Sequence, residues 1–252
     1  MMSDCERKNG FTLIEVVIIV AVMAVLAAAI MPSLFQQVID AKVAATKTSA
    51  KTLYEAIAGQ ADVKGSYGFL GDMGRFPSSV DELAKPPGGA PMFPGTGTFR
   101  SVGMGWNGPY ATSGTSQESF GLDAWGHQFR ITQGGQVRSA GADGAYDTTD
   151  DIVYPPEAPK IASRVMVTVK RQDTEGAGAA IDPTGYEVRL YYSNNGTEAF
   201  LSSSAAPFAF DNIYPGLHAI AVMRSSSGQI VAQDTVEVPH NTTKLVELFF
   251  RP

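Results

Sequence analysis

Four carboxylates fall within nine residues in the stretch Ser139-Ala140-Gly141-Ala142-Asp143-Gly144-Ala145-Tyr146-Asp147-Thr148-Thr149-Asp150-Asp151-Ile152. Left alone, Asp143, Asp147, Asp150 and Asp151 repel one another. A hard cation would neutralise them and take further oxygen ligands from loop carbonyls, which is calcium chemistry. Gly141 and Gly144 give the backbone freedom to fold around an ion. The ligand spacing and closing Glu of an EF-hand are absent. The other reading is a solvated turn in which Asp side chains cap backbone N–H groups.

A fifth carboxylate stands out by its surroundings. Glu15 interrupts the start of an apolar segment that then runs unbroken from Val16 to Met31. Phe11 to Met31 supplies the roughly 20 apolar residues that a spanning helix needs. A charge deep in hydrocarbon costs on the order of a few kcal/mol, so Glu15 calls for a partner. The polar residues before the run include Arg7 and Lys8, which should stay in the cytoplasm and send the rest outward. Met31-Pro32-Ser33 is a poor signal-peptidase site.

Elsewhere the chemistry is thin. Cys5 is the only cysteine, and His127, His218 and His240 are the only histidines, which argues against zinc or copper sites. No nucleophile elbow, phosphate loop or paired His is present, so no enzyme is expected. The net charge of -6 offers no counterion release on DNA or RNA, so nucleic acid is not an expected partner.

The elements that carry these residues follow from periodicity. Beyond Pro32, apolar residues from Leu34 to Ile57 recur at near-helical spacing, and Gly59 is a C-terminal stop. That predicts one helix of roughly 70 Å from Phe11 to Gly59. Residues 60–154 are rich in Gly and Pro and read as loops and short strands over the helix. Trp106 and Trp125 read as core aromatics. Pro155-Pro156-Glu157-Ala158-Pro159 reads as a stiff linker that few contacts bypass, so a chain ending after Tyr154 is expected to fold and assemble. After it come seven strand-like runs: 164–169, 186–192, 198–201, 208–213, 217–223, 230–238 and 244–250. Turn signals between them include Asn194-Asn195-Gly196 and Pro215-Gly216, a β-sandwich pattern. Tyr186, Tyr191, Tyr192 and Tyr214 read as sheet-face residues, with a ligand patch as the alternative.

Three resemblances sharpen this. Gly10-Phe11-Thr12-Leu13-Ile14-Glu15 resembles the processing site of type IV pilins and type II secretion pseudopilins. It implies cleavage by prepilin peptidase between Gly10 and Phe11, N-methylation of Phe11, and Glu15 facing the Phe11 amine of a neighbouring subunit. Such pairing makes a buried charge tolerable and fixes axial register. Gly74-Arg75-Phe76-Pro77, Trp106-Asn107-Gly108-Pro109-Tyr110 and Asp123-Ala124-Trp125-Gly126-His127-Gln128-Phe129 resemble the head of the major pseudopilin, and the acidic loop resembles its calcium loop. By that resemblance Asp143 and Asp150 are ligands, helped by carbonyls near Ala140 and Ile152, with Asp151 and Asp147 as further candidates. Most major pseudopilins end near Pro155, and this chain continues. The phrase from Phe208 to Ile220 resembles a strand-turn-strand hairpin of carboxypeptidase-regulatory-like, transthyretin-like domains, which are non-catalytic binding or spacer modules.

The expectation is therefore an α+β chain: a long N-terminal pilin helix, a small antiparallel-sheet head and an all-β sandwich. Its parts are a cleaved leader over 1–10, a helix over 11–59 that spans the membrane at 11–31, a head with a calcium loop over 60–154, a linker over 155–159 and a sandwich over 160–252. The resemblance implies a structural subunit of a type II secretion pseudopilus. It would sit first in the bacterial inner membrane with its C-terminal part in the periplasm, then in a filament in the periplasm or at the cell surface. Its partners would be prepilin peptidase, copies of itself, other pseudopilins and an inner-membrane assembly platform. The alternative is a minor type IV pilin or adhesin whose sandwich binds a surface ligand or a secreted substrate.

Overall fold

The computed structural model describes residues 12–60, 62, 63, 65–94, 97, 104–111, 121–171, 179, 180 and 183–250. The chain divides into two compact units, residues 1–45 and 46–252. Helix α1 spans Leu13–Ala58, about 69 Å at 1.5 Å per residue. Pro32 lies inside it without ending it. It stops where the sequence predicts: the Gly59 N–H donates to the Glu55 carbonyl at 2.8 Å, and Gly59 takes the left-handed φ of 77° that glycine adopts without strain.

In the first unit α1 is apolar on every side from Val16 to Met31, gains polar residues from Ser33 to Lys42, and is almost wholly exposed. In the second unit α1 turns amphipathic. Thr46, Ala50, Leu53 and Ile57 are buried, at the 4-3-4 spacing of one helix face. The last three of these pack with Phe69 and Met73 of α2 (Gly68–Met73), Leu83 of α3 (Asp81–Ala84), and Val80, Trp106, Phe129 and Val137. Thr46 accepts a bond from the Ala124 N–H through its hydroxyl, 3.1 Å. A three-stranded antiparallel sheet, β1 (Arg130–Ile131), β2 (Val137–Ser139) and β3 (Ile152–Tyr154), completes the head. Trp106 is a core aromatic as expected, its indole N–H donating to the Glu82 carbonyl at 2.9 Å. Trp125 is only half-buried.

All seven expected sandwich strands form: β4 (Ser163–Arg171), β6 (Tyr186–Asn194), β7 (Thr197–Ser203), β8 (Phe208–Ile213), β9 (Gly216–Arg224), β10 (Ile230–Val238) and β11 (Thr243–Phe250). A short β5 (Ala179–Ala180) is added. One sheet runs β10-β9-β6-β7. In the other, β4 has β11 on one side and β8 and β5 on the other. Alternate residues close the core: Val165, Val167 and Val169 from β4, Val188 and Leu190 from β6, Phe208 and Phe210 from β8, and Val246, Leu248 and Phe250 from β11. This is the period-2 pattern of two sheets packed face to face. Asn195-Gly196 forms the two-residue β6–β7 turn with φ of 52° and 78°, the primed geometry that suits a hairpin.

Two expectations fail. The Phe208 to Ile220 phrase is not a hairpin: β8 pairs with β4, β9 pairs with β6 and β10, and Tyr214-Pro215 carries the chain from one sheet to the other. Nor does the proline segment isolate head from sandwich. The Ser193 hydroxyl donates to the Asp72 carbonyl at 2.7 Å, the Gly196 N–H to the Met73 carbonyl at 3.0 Å, and Arg75 Nε to Asn195 Oδ1 at 2.7 Å. His240 Nε2 reaches the carbonyl of Ala58, at the C-terminal end of α1, at 2.6 Å. Met104 is buried with Tyr191, Ala219 and Ala221 on the outer face of the β6-β9 sheet. Leu70 and Ala58 are buried with Ile161. A Cβ on Gly74 would lie 1.7 Å from the Ser193 carbonyl oxygen, so head and sandwich meet there backbone to backbone.

Candidate functional site

The first candidate is the start of α1. Gly10 and Phe11 lie outside the described residues. From Thr12 onward the local geometry is an N-cap, with Thr12 facing the N–H of Glu15. The Glu15 N–H donates to the Thr12 carbonyl at 3.1 Å and stands 3.3 Å from the Thr12 hydroxyl. Glu15 thus sits in the first helical turn, where a carboxylate meets the positive end of the helix dipole. The Thr12-x-x-Glu15 spacing carried that signal in the sequence, beside the pairing role read for Glu15. The large apolar side chains from Leu13 to Ile39 are exposed, from 44% at Ile39 to 83% at Leu13. A helix that is apolar all round needs an apolar medium or other helices to cover it. Its length and composition suffice to cross a membrane.

The second candidate is the acidic loop between β2 and β3. It is framed by a buried Asp123, which sequence reasoning passed over as part of a head phrase. Asp123 Oδ1 accepts from the N–H groups of Trp125 and His127 at 2.9 Å each. Its Oδ2 accepts from the Ser139 hydroxyl at 2.5 Å, and that hydroxyl accepts from the Gly141 N–H at 3.1 Å. His127 Nδ1 lies 3.0 Å from the Gly141 carbonyl.

Within the loop the four acids separate into two pairs. Asp150 Oδ2 accepts from the N–H groups of Ala142 and Asp143 at 2.7 and 3.1 Å, and Oδ1 accepts from the Thr148 hydroxyl at 2.7 Å. The Thr148 hydroxyl, with the Asp143 and Ala142 N–H groups behind it, holds Asp150 below the usual carboxylate range. Asp143 Oδ1 caps the Ala145 N–H at 2.8 Å. Gly141, with φ of 64°, is needed, because a Cβ there would lie 2.5 Å from both the Asp150 carbonyl oxygen and Oδ2. The other pair answers to a cation the sequence reading did not weigh. Arg138 Nη1 binds Asp147 Oδ1 and lies 3.6 Å from Asp151 Oδ2, and Asp151 Oδ2 also accepts from the Asp147 N–H at 2.8 Å. Ala140 is buried just before the loop and Ile152 just after it. Among the described residues, no group of three or more His, Cys, Asp or Glu side chains is arranged to hold a metal ion.

The four sandwich tyrosines do not gather into a patch. Tyr191 is buried against Met104, the Tyr186 ring lies 5.3 Å from Phe250, Tyr192 packs on the sandwich core, and the Tyr214 ring meets Phe76 at 5.8 Å.

No curated protein matches the chain. Residues 6–31 match the family model described as the prokaryotic N-terminal methylation motif, and together with the apolar helix that follows, this is a type IV pilin-like prepilin signal.

Proposed function

We propose that the chain is a structural subunit of a type II secretion pseudopilus, polymerising through α1 to help drive protein export. The observation that carries this reading is a methylation motif leading into a helix whose apolar side chains are exposed on every side. The motif itself implies processing by a prepilin peptidase and assembly into a pilus-like filament. The reading adds an inner-membrane assembly platform, other pseudopilins as neighbours, and Glu15 facing the Phe11 amine of the next subunit. It is non-enzymatic, which the pilin-like motif favours.

A calcium ion in the acidic loop belongs to the same reading. Asp143 and Asp150 would hold it, because among the described residues no basic side chain pairs with either. Asp147 and Asp151 already face Arg138. Bound there, the ion would neutralise the loop and recruit loop carbonyls near Ala140 and Ile152.

The test is made in cells. Mass spectrometry of the membrane fraction should find a mature chain beginning at a methylated Phe11, and Glu15→Val should insert normally yet lose filament incorporation at least tenfold. A mature N-terminus elsewhere, or full incorporation of Glu15→Val, overturns the assembly reading. Deleting the chain should abolish export by the secretion system. Unimpaired export, with the chain confined to a filament tip, would point to the adhesive alternative.

A further inference from the structure

A cavity of about 410 Å³ opens in the 46–252 unit between the last turns of α1, the start of α2 and the segment around Asn107 and Tyr110. The volume lies in the range of small-ligand sites. Its walls carry two carboxylates, Glu55 and Asp72, two phenols, Tyr67 and Tyr110, and the amide of Asn107. None of the described residues lining it is basic.

Asp72 is fixed in place. Its Oδ2 accepts from the Tyr110 hydroxyl at 2.9 Å, and that hydroxyl accepts from the Asn107 N–H at 2.8 Å. The Tyr110 ring is held edge-on by Phe69 at 5.6 Å and Trp106 at 5.9 Å. Burial raises Asp72 to about 6, against the lowering pull of the Tyr110 and Asn107 hydrogen bonds. Glu55 is partly answered by Lys51, 3.7 Å away on the same helix. The Tyr67 hydroxyl bonds Glu237, which leaves its ring to form wall.

A preformed carboxylate in a partly dry cleft favours a cation and repels anions. Tyr67 and Tyr110 line the same cavity, and an aromatic ring whose face meets a positive group adds to its attraction. We propose that this cavity binds a primary ammonium group on a short unbranched carbon stem, its charge meeting Asp72 and Glu55 and its stem lying between Tyr67 and Tyr110. Free alkylamines and lysine side chains of a protein both carry that chemistry.

The test uses the full chain in detergent micelles, with n-butylammonium chloride as probe, n-butanol as its neutral counterpart and Nα-acetyl-lysine methylamide as the protein-derived form. Binding is followed by titration calorimetry and by side-chain chemical shifts. Butylammonium should bind saturably and butanol at least tenfold more weakly. Asp72→Asn should weaken butylammonium at least tenfold. Glu55→Gln, at a more open position that leaves the fold intact, should weaken it severalfold. Tighter binding of the lysine derivative than of butylammonium assigns a protein source, and the reverse assigns free amines. Equal binding of butylammonium and butanol overturns the proposal, as does undiminished binding by both variants.

Discussion

One helix passes through two regimes. Over residues 13–39 its large apolar side chains are exposed: Leu13 is 83% and Phe35 is 64% exposed. Over residues 46–58 its apolar side chains form a stripe matched to a core, with Leu53 at 6% and Ile57 at 0%. Burying one such side chain is worth about 1.5–3 kcal/mol, so the first stretch is incomplete as a monomer and the second is satisfied. The difference separates two kinds of information in one element. The first half specifies a medium, namely membrane or neighbouring helices. The second half specifies a fold.

The comparison breaks most visibly if the satisfied unit can be divided. A chain ending after Tyr154 would strip Met104 of Tyr191, Ala219 and Ala221, and Leu70 of Ile161 and Tyr214. Exposing Leu70 and Met104 alone costs about 3–6 kcal/mol, against a typical total of about 5–15 kcal/mol. The truncated head should lose cooperative unfolding in calorimetry, and a sharp transition near the full-length temperature would restore an independent head.

A smaller effect sharpens the comparison from inside the satisfied unit. His218, buried in the sandwich, donates through Nε2 to the Tyr214 carbonyl at 2.9 Å, while its Nδ1 has no partner among the described residues. Burial lowers it from 6.5 to about 4. The unfolded chain therefore takes a proton below pH 6.5 that the folded chain refuses until about pH 4. Stability from this group is present above that window and lost through it, by about 3 kcal/mol. Asp72 in the head has the opposite sign. Raised from 3.8 to about 6, it takes its proton first in the folded chain, so its contribution grows as pH falls through 6. The two should nearly cancel between pH 6 and 4. Denaturant midpoints for Asp72→Asn should fall steeply across that window, and those for His218→Gln should rise. Parallel profiles for both variants and the parent would refute the opposition.

The smallest expected effect concerns the acidic loop. With calcium at a hundredfold excess over Kd, an ion that binds only the folded chain adds about 2.7 kcal/mol. The melting temperature should rise with calcium relative to chelator, and Asp143→Ala or Asp150→Ala should erase the rise. Asp147→Ala should reduce it less, since Asp147 pairs with Arg138. Identical melting with calcium and chelator would leave the loop a solvated turn.

Sequence legibility followed the physics of each element. The sandwich strands were readable because alternation and turn residues such as Asn195-Gly196 are local signals. The stop of α1 at Gly59 was readable for the same reason. The union of head and sandwich was not, because much of it runs through main-chain carbonyls of Asp72, Met73 and Ala58, which any residue supplies. One trace was available: Ala219-Ile220-Ala221-Val222-Met223 is apolar without alternation, as in a strand covered on both faces. The partition of the acidic loop was hidden because it turns on Arg138, a single cation on an adjacent strand. The crossing of β8 to β9 was hidden because Tyr214-Pro215 reads as a turn whichever sheets it joins.

The parallel pairing of β4 with β11 has a mechanical consequence. The two strands run in register from Arg164 opposite Thr243 to Arg171 opposite Phe250, eight pairs in all. The start of β4 is the end joined to the head, and the far end of β11 points the opposite way along the same pair. Tension drawn between those two ends loads the whole ladder in shear, so the bonds share the pull instead of peeling one by one. The strand pair is thus strongest along the line of those two ends.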